Sequence, residues 1–109
     1  MHELAITRNI VDGVCERMGE TRIASLQLEI GRLSGVLPDA VRFCFDLVAE
    51  DTTMHGARLD IEEPEGVARC SSCASRFETA GPVVLCSCGS ADVELLGGTQ
   101  LRIKSVEVI

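Results

Sequence analysis

Seven residues in two clusters have the types and spacing for metal chemistry. Cys70 and Cys73 form a C-x2-C pair, and Cys86 and Cys88 form a C-x-C pair after a twelve-residue gap. Thiolate pairs at both ends of a short loop are what a tetrahedral Zn²⁺ site requires. Gly89, directly after Cys88, permits a backbone conformation that other residues resist, so the second pair can turn sharply. Two other readings compete: a pair of disulfides, and a redox-active C-x-x-C. The opening stretch MHELAITRNI has no apolar segment of the secretory kind. A cytoplasmic location is therefore expected, and structural disulfides are rare there. A redox motif belongs between a strand and a helix of a βαβ unit, whereas these cysteines sit among Arg, Ser, Thr and Gly. Zinc is the favoured reading.

The second cluster is Met1-His2-Glu3. A histidine just before a helix is ordinarily a solvated surface residue. Here, however, His2 is too large for an initiator methionine to be readily removed, so the free amine is expected on Met1. That amine, the His2 amide nitrogen and the His2 imidazole can chelate one ion through adjoining small rings, with the Glu3 amide or carboxylate as a fourth donor. A nitrogen-rich, near-planar set suits Ni²⁺ or Cu²⁺. The first amides of a helix have no intrahelical partner, so giving them to a metal breaks no backbone bond. The positive end of the helix dipole repels a cation, and Glu3 offsets that repulsion. A site this open binds and releases. His55 lies in an expected turn and reads as a solvated loop residue. Cys15 and Cys44 fall on apolar helix faces and read as core thiols.

These clusters need elements to hold them. Residues Leu4 to Met18 have helical periodicity, with Leu4, Val11, Val14, Cys15 and Met18 on one face, widened by Ile6 and Ile10. Ile23 to Ile30 alternates as a half-buried strand. A second helix is expected from Pro38 to about Glu50, buried through Ala40, Val41, Cys44, Phe45 and Val48. Ala57 to Ile61 alternates again, and Glu62-Glu63-Pro64-Glu65-Gly66 marks a boundary. Short strands are expected at Arg76–Glu78 and Val83–Leu85. The last strand, Gln100 to Ile109, changes parity between Ile103 and Val106, which a β-bulge near Lys104–Ser105 would reconcile. The fold class expected is α+β: two helices packed on a small three-stranded sheet, with an inserted zinc-ribbon-like four-cysteine module. Residues 1–66 and 98–109 would form the α+β domain that carries the amino-terminal metal site, and residues 67–97 the zinc-binding module.

Composition narrows the function. The 109 residues carry a formal net charge of −7, and four thiolates around a 2+ ion would add two further negative charges. Nucleic-acid binding relies on Lys and Arg to displace counterions, and ten basic residues against seventeen acidic ones, with no Trp or Tyr, make a poor footprint. No apolar run approaches the length of a membrane span. A module of about 30 residues cannot bury enough apolar surface alone, so metal must supply its folding energy. No Ser/His/Asp set, phosphate loop or acid pair points to an enzyme. The remaining rivals to a metal carrier are a zinc-ribbon interaction or nucleic-acid-binding module without metal transfer, and a thiol oxidoreductase using Cys70 and Cys73.

MHELAIT at the start, EIGRLSGV, the C-x2-C segment and the closing GGTQLRIKSVEV together resemble the HypA/HybF family, over essentially the whole chain. Its members are nickel metallochaperones that help mature [NiFe]-hydrogenase and, in some organisms, urease. The resemblance implies transported Ni(II) at His2 with Met1 and Glu3 around it. It also implies a structural Zn(II) on Cys70, Cys73, Cys86 and Cys88, in a loop that takes part in conformational responses and partner docking. A HypB-like GTPase and the [NiFe]-hydrogenase large-subunit precursor are the implied partners, and a homodimer is left open. One departure stands out: the family's second pair is usually C-x-x-C-G, whereas Cys86-Ser87-Cys88-Gly89 is one residue shorter.

Overall fold

The computed structural model describes residues 2–79, 81 and 83–109. Helix α1 (Glu3–Met18) precedes strand β1 (Ile23–Ile30), then helix α2 (Pro38–Ala49) and strand β2 (Arg58–Glu62). Strands β3 (Gly66–Cys70), β4 (Arg76–Thr79) and β5 (Val93–Gly97) follow, and β6 (Leu101–Val108) closes the chain. They form two three-stranded sheets, β2-β1-β6 and β4-β3-β5. β1 and β2 run parallel through the α2 crossover, and β6 returns antiparallel to β1. The principal extents of 53 × 22 × 18 Å show an elongated molecule with the sheets end to end.

One core serves the first sheet. Leu26, Leu28 and Ile30 of β1 meet Val11 and Val14 of α1 and Val41, Phe45 and Ala49 of α2, with Met54 closing one end. The expected face of α1 needs one correction. Leu4 is 48% exposed, while Glu3 and Thr7 are buried at 9% and 1%. The buried stripe thus begins on polar residues, because each has a partner. Thr7 Oγ1 donates to the Glu3 carbonyl at 2.7 Å, and Glu3 Oε2 accepts from the Leu37 amide at 3.1 Å.

The bulge in the last strand lies where parity demanded it. Gln27 pairs with Ser105 but Leu28 with Ile103, so Lys104 is the extra residue and both Ile103 and Val106 face α1. In the cysteine segment the strands differ from expectation. Arg76–Glu78 is strand, within β4, but Val83–Leu85 is not. The places beside β3 are taken by β4 and β5, leaving Val83 and Leu85 exposed at 72% and 53%.

The sheets meet through three glycines. Leu33 N donates to Gly98 O and Gly31 N to Gln100 O, each at 2.8 Å, while Arg32 N donates to Pro64 O at 3.0 Å. A Cβ on Gly31 would collide with the Gly98 carbonyl, one on Gly66 with Leu33, and one on Gly98 with the Gly66 backbone. Gly98 also has φ +89, a conformation side chains disfavour.

Candidate metal centre

The four cysteines converge although one strand end and two turns deliver them. Cys70 ends β3, Cys73 follows in the turn, and Cys86 and Cys88 arrive on the segment before β5. Their sulfurs all lie within 4.8 Å of one another, with Cys70–Cys88 at 3.7 Å and Cys73–Cys86 at 3.5 Å. A tetrahedron of thiolates at a Zn–S distance of 2.3 Å has sulfurs about 3.8 Å apart, so these residues fit such an ion. Cys70 and Cys86 are buried and Cys73 and Cys88 exposed, leaving one side of the cluster against protein and the other open.

The two pairs turn differently, and this accommodates the shorter second one. After Cys70, the Ala74 amide donates back to the Cys70 carbonyl at 2.9 Å, a four-residue closure ending in a left-handed Ala74 (φ 64). After Cys86 the closure spans three residues: Gly89 N donates to Cys86 O at 2.9 Å, and Gly89 takes φ +94. The missing residue therefore shortens the turn without withdrawing a sulfur. Cross-links join the two turns: Ser71 N donates to Asp92 O at 2.9 Å, and the Ser72 and Ser90 hydroxyls are 2.9 Å apart.

Electrostatics prepare the cluster for a cation. The Cys88 amide, the Ser75 hydroxyl and neighbouring thiols lower the Cys86 thiol to about 6. Backbone N–H groups of Cys73 and Ser72 lower that of Cys70. At Cys88 the Ser90 amide favours the thiolate, but hydrogen bonding with the Cys86 and Cys70 sulfurs prevails and pushes the thiol up to about 12. Metal-free, the cluster ionises in part and holds back a proton; a divalent ion removes that restraint. Ser75, whose hydroxyl lies 3.0 Å from Cys73 Sγ and 3.4 Å from Cys86 Sγ, is not a thiolate or imidazole, so residue type and spacing do not mark it.

The amino-terminal cluster is placed at the start of α1, and Met1 lies outside the described residues. His2 is the exposed N-cap, its side chain makes no capping bond, and its carbonyl accepts the Ile6 amide at 3.0 Å. Glu3 is held in place: the Leu37 amide, followed by its own backbone N–H and nearby positive charge, keeps its carboxyl below the usual range. Leu37 is the N-cap of α2 and offers no capping side chain of its own, and Glu3, from the neighbouring helix, satisfies the Leu37 amide that precedes the first turn. No sequence signal announced this long-range pairing. His55 is exposed, as expected of a loop residue, and Cys15 and Cys44 are half-buried, with Cys15 Sγ 3.7 Å from Thr53 Oγ1. Among the described residues no helix is long and apolar enough to cross a membrane.

Comparison with known proteins agrees with this arrangement. Residues 1–108 match the family described as "Hydrogenase/urease nickel incorporation, metallochaperone, hypA". Hydrogenase maturation factor HypA from a Nostoc species is 43% identical over 108 residues, covering 99% of this chain and 96% of that protein. Its counterpart from Geobacter metallireducens is 43% identical over 110 residues, covering 99% of each. The solution structure of the Ni metallochaperone HypA from Helicobacter pylori shares the fold, with a TM-score of 0.66 at 21% identity, covering 100% of this chain and 98% of that one. The chain belongs to the HypA family of hydrogenase/urease nickel-incorporation metallochaperones, which carry metal and are not enzymes.

Proposed function

We propose that this chain carries Ni(II) on Met1, His2 and Glu3 and passes it to the [NiFe]-hydrogenase large-subunit precursor, or to urease, with a HypB-like GTPase. The observation that carries the reading is His2: an exposed imidazole at the first turn of α1, with no capping bond to compete for its nitrogens. The α-amine, the His2 amide and the imidazole then form the chelate, and Glu3 contributes its negative charge beside the ion. Zn(II) on Cys70, Cys73, Cys86 and Cys88 is structural in this reading, folding residues 67–97 as a module attached to a domain of residues 1–66 and 98–109. The cluster geometry and its partial ionisation support zinc there, and the family's role in hydrogenase maturation supports a cytoplasmic site of action.

An extension before Met1 converts the amine to an amide and is expected to abolish nickel binding, while a carboxyl-terminal tag leaves it unchanged. Isothermal titration of both proteins tests this, and equal affinities would exclude the site. Metal analysis of wild type and His2→Ala is expected to find zinc in both and nickel uptake in the wild type alone.

A further inference from the structure

We propose that Ser75 is a positioning residue of the cysteine centre: its hydroxyl donates to the Cys73 thiolate and reaches across to Cys86, so that the exposed edge of the centre resists electrophiles and retains its ion. The inference rests on the zinc reading above and concerns a residue that is not itself a ligand.

Three of the four cysteines are followed two positions later by serine: Ser72 after Cys70, Ser75 after Cys73 and Ser90 after Cys88. The three hydroxyls are used differently. Those of Ser72 and Ser90 lie 2.9 Å from each other, and Ser90 Oγ also accepts from the Asp92 amide at 3.1 Å, so this pair joins the two turns. Ser75 Oγ turns instead to sulfur, 3.0 Å from Cys73 Sγ and 3.4 Å from Cys86 Sγ.

The main chain holds Ser75 there. Ala74 takes a left-handed φ of 64 and directs the chain back across the first pair, and the Cys70 amide donates to the Ser75 carbonyl at 2.9 Å. β4 begins at the next residue, Arg76, which pairs with Arg69 of β3, so Ser75 is anchored on both sides. Its hydroxyl is thereby placed between a sulfur of the first pair and one of the second, themselves 3.5 Å apart.

Charge and exposure explain why a donor is needed. Four thiolates around a 2+ ion leave net negative charge on the sulfurs, in a chain already at −7. Cys70 and Cys86 are buried; Cys70 takes the Cys73 and Ser72 amides, and Cys86 takes the Cys88 amide. Of the two exposed sulfurs, Cys88 takes the Ser90 amide. Cys73 is the other, and the Ser75 hydroxyl is its shortest side-chain contact among the described residues. In the loaded cluster every sulfur is an acceptor, so the hydroxyl finds no S–H to accept and donates its own proton. A hydrogen bond to a thiolate withdraws charge from the sulfur and makes it a weaker nucleophile. Partners of this kind also hold ligands in orientation, and their loss commonly changes metal affinity by about 10–100-fold.

The test compares the zinc-loaded full chain with its Ser75→Ala, Ser75→Thr and Ser72→Ala variants. Metal analysis first measures zinc, expected to be stoichiometric in each, and circular dichroism checks the fold. Iodoacetamide then reports on the sulfurs: a thiolate forms the S–C bond, iodide departs with the C–I electron pair, and peptide mapping by mass spectrometry locates the label. Losing one hydrogen bond to a charged sulfur is worth about tenfold in an equilibrium, and a Brønsted slope of about 0.4–0.5 turns that into about threefold in rate. Ser75→Ala is therefore expected to label about threefold faster at Cys73 with Cys88 unchanged, and to yield zinc to a chromophoric chelator about tenfold faster. Ser75→Thr keeps the hydroxyl and Ser72→Ala removes one that meets no sulfur, so both are expected to match wild type. Equal labelling of Cys73 in wild type and Ser75→Ala overturns the inference. So does equal acceleration at Cys73 and Cys88, which is general loosening, and so does a Ser75→Thr protein that fails to restore the wild-type rates. A wild type that holds no zinc overturns the zinc reading and this inference together, whereas zinc in every protein with unchanged rates overturns this inference alone.

Discussion

Replacing Gly98 by alanine drives a methyl group into the Gly66 backbone and within 2.8 Å of the Glu65 carbonyl oxygen. Two costs add. An L-residue at φ +89 loses about 1–2 kcal/mol relative to glycine. Overpacking against main chain, which moves less readily than a side-chain tip, costs a further 1–3 kcal/mol or so. The sum, roughly 2–5 kcal/mol, is a large share of the stability of a small domain. Gly97 is the control: a Cβ there meets nothing within 4 Å and its φ is not in the left-handed region, so Gly97→Ala is expected within about 0.5 kcal/mol of wild type. Urea denaturation of zinc-saturated protein measures both. Amide exchange at Gly31 and Leu33, whose N–H groups donate across the junction, tells local opening from global loss. A Gly98→Ala protein as stable as wild type, or equal losses in the two variants, would refute the packing argument.

Phe45→Ala, at a side chain 3% exposed in the shared core, is expected to cost about 3–5 kcal/mol in the same urea assay. Ala74→Gly relieves the left-handed strain after the first cysteine pair and is expected to stabilise the zinc-loaded protein by about 0.5–1 kcal/mol. Zinc uptake at pH 7.5 is expected to release fewer than four protons, because Cys86 is already ionised above about 6 while Cys88 holds its proton to about 12; titration in buffers of different ionisation enthalpy counts them.

Periodicity made most of the larger sheet legible. The alternation of Leu26, Leu28 and Ile30 and the spacing of Val41 and Phe45 report burial directly, and the parity change at Lys104 exposed the bulge. The cysteine segment was less readable, because strands of four or five residues beside a metal site are fixed by cross-links rather than by a continuous core. Val83, Val84 and Leu85 have strand-like composition, yet β3 has only two sides and both are taken. The convergence of the cysteines could be read from spacing alone, whereas the role of Ser75 and the Glu3–Leu37 bond could not. Leu37 contributes a backbone amide, which is invisible in residue type, and its partner lies 34 positions away.

That bond makes the amino terminus and α2 thermodynamically interdependent. The carboxylate nearest the proposed nickel donors also holds the amide at the start of a second helix, whose preceding loop reaches Gly98 and the zinc-side sheet. Any ligand that draws Glu3 Oε2 away must leave the Leu37 amide unsatisfied, and its affinity is reduced by that amount. A partner that docks at the start of α2 and supplies the amide with another acceptor frees Glu3 and removes the reduction. Reciprocity follows: whatever such docking does to metal affinity, metal does equally to docking. A single hydrogen bond between helices thus gives a carrier the means to hold its cargo differently when alone and when engaged.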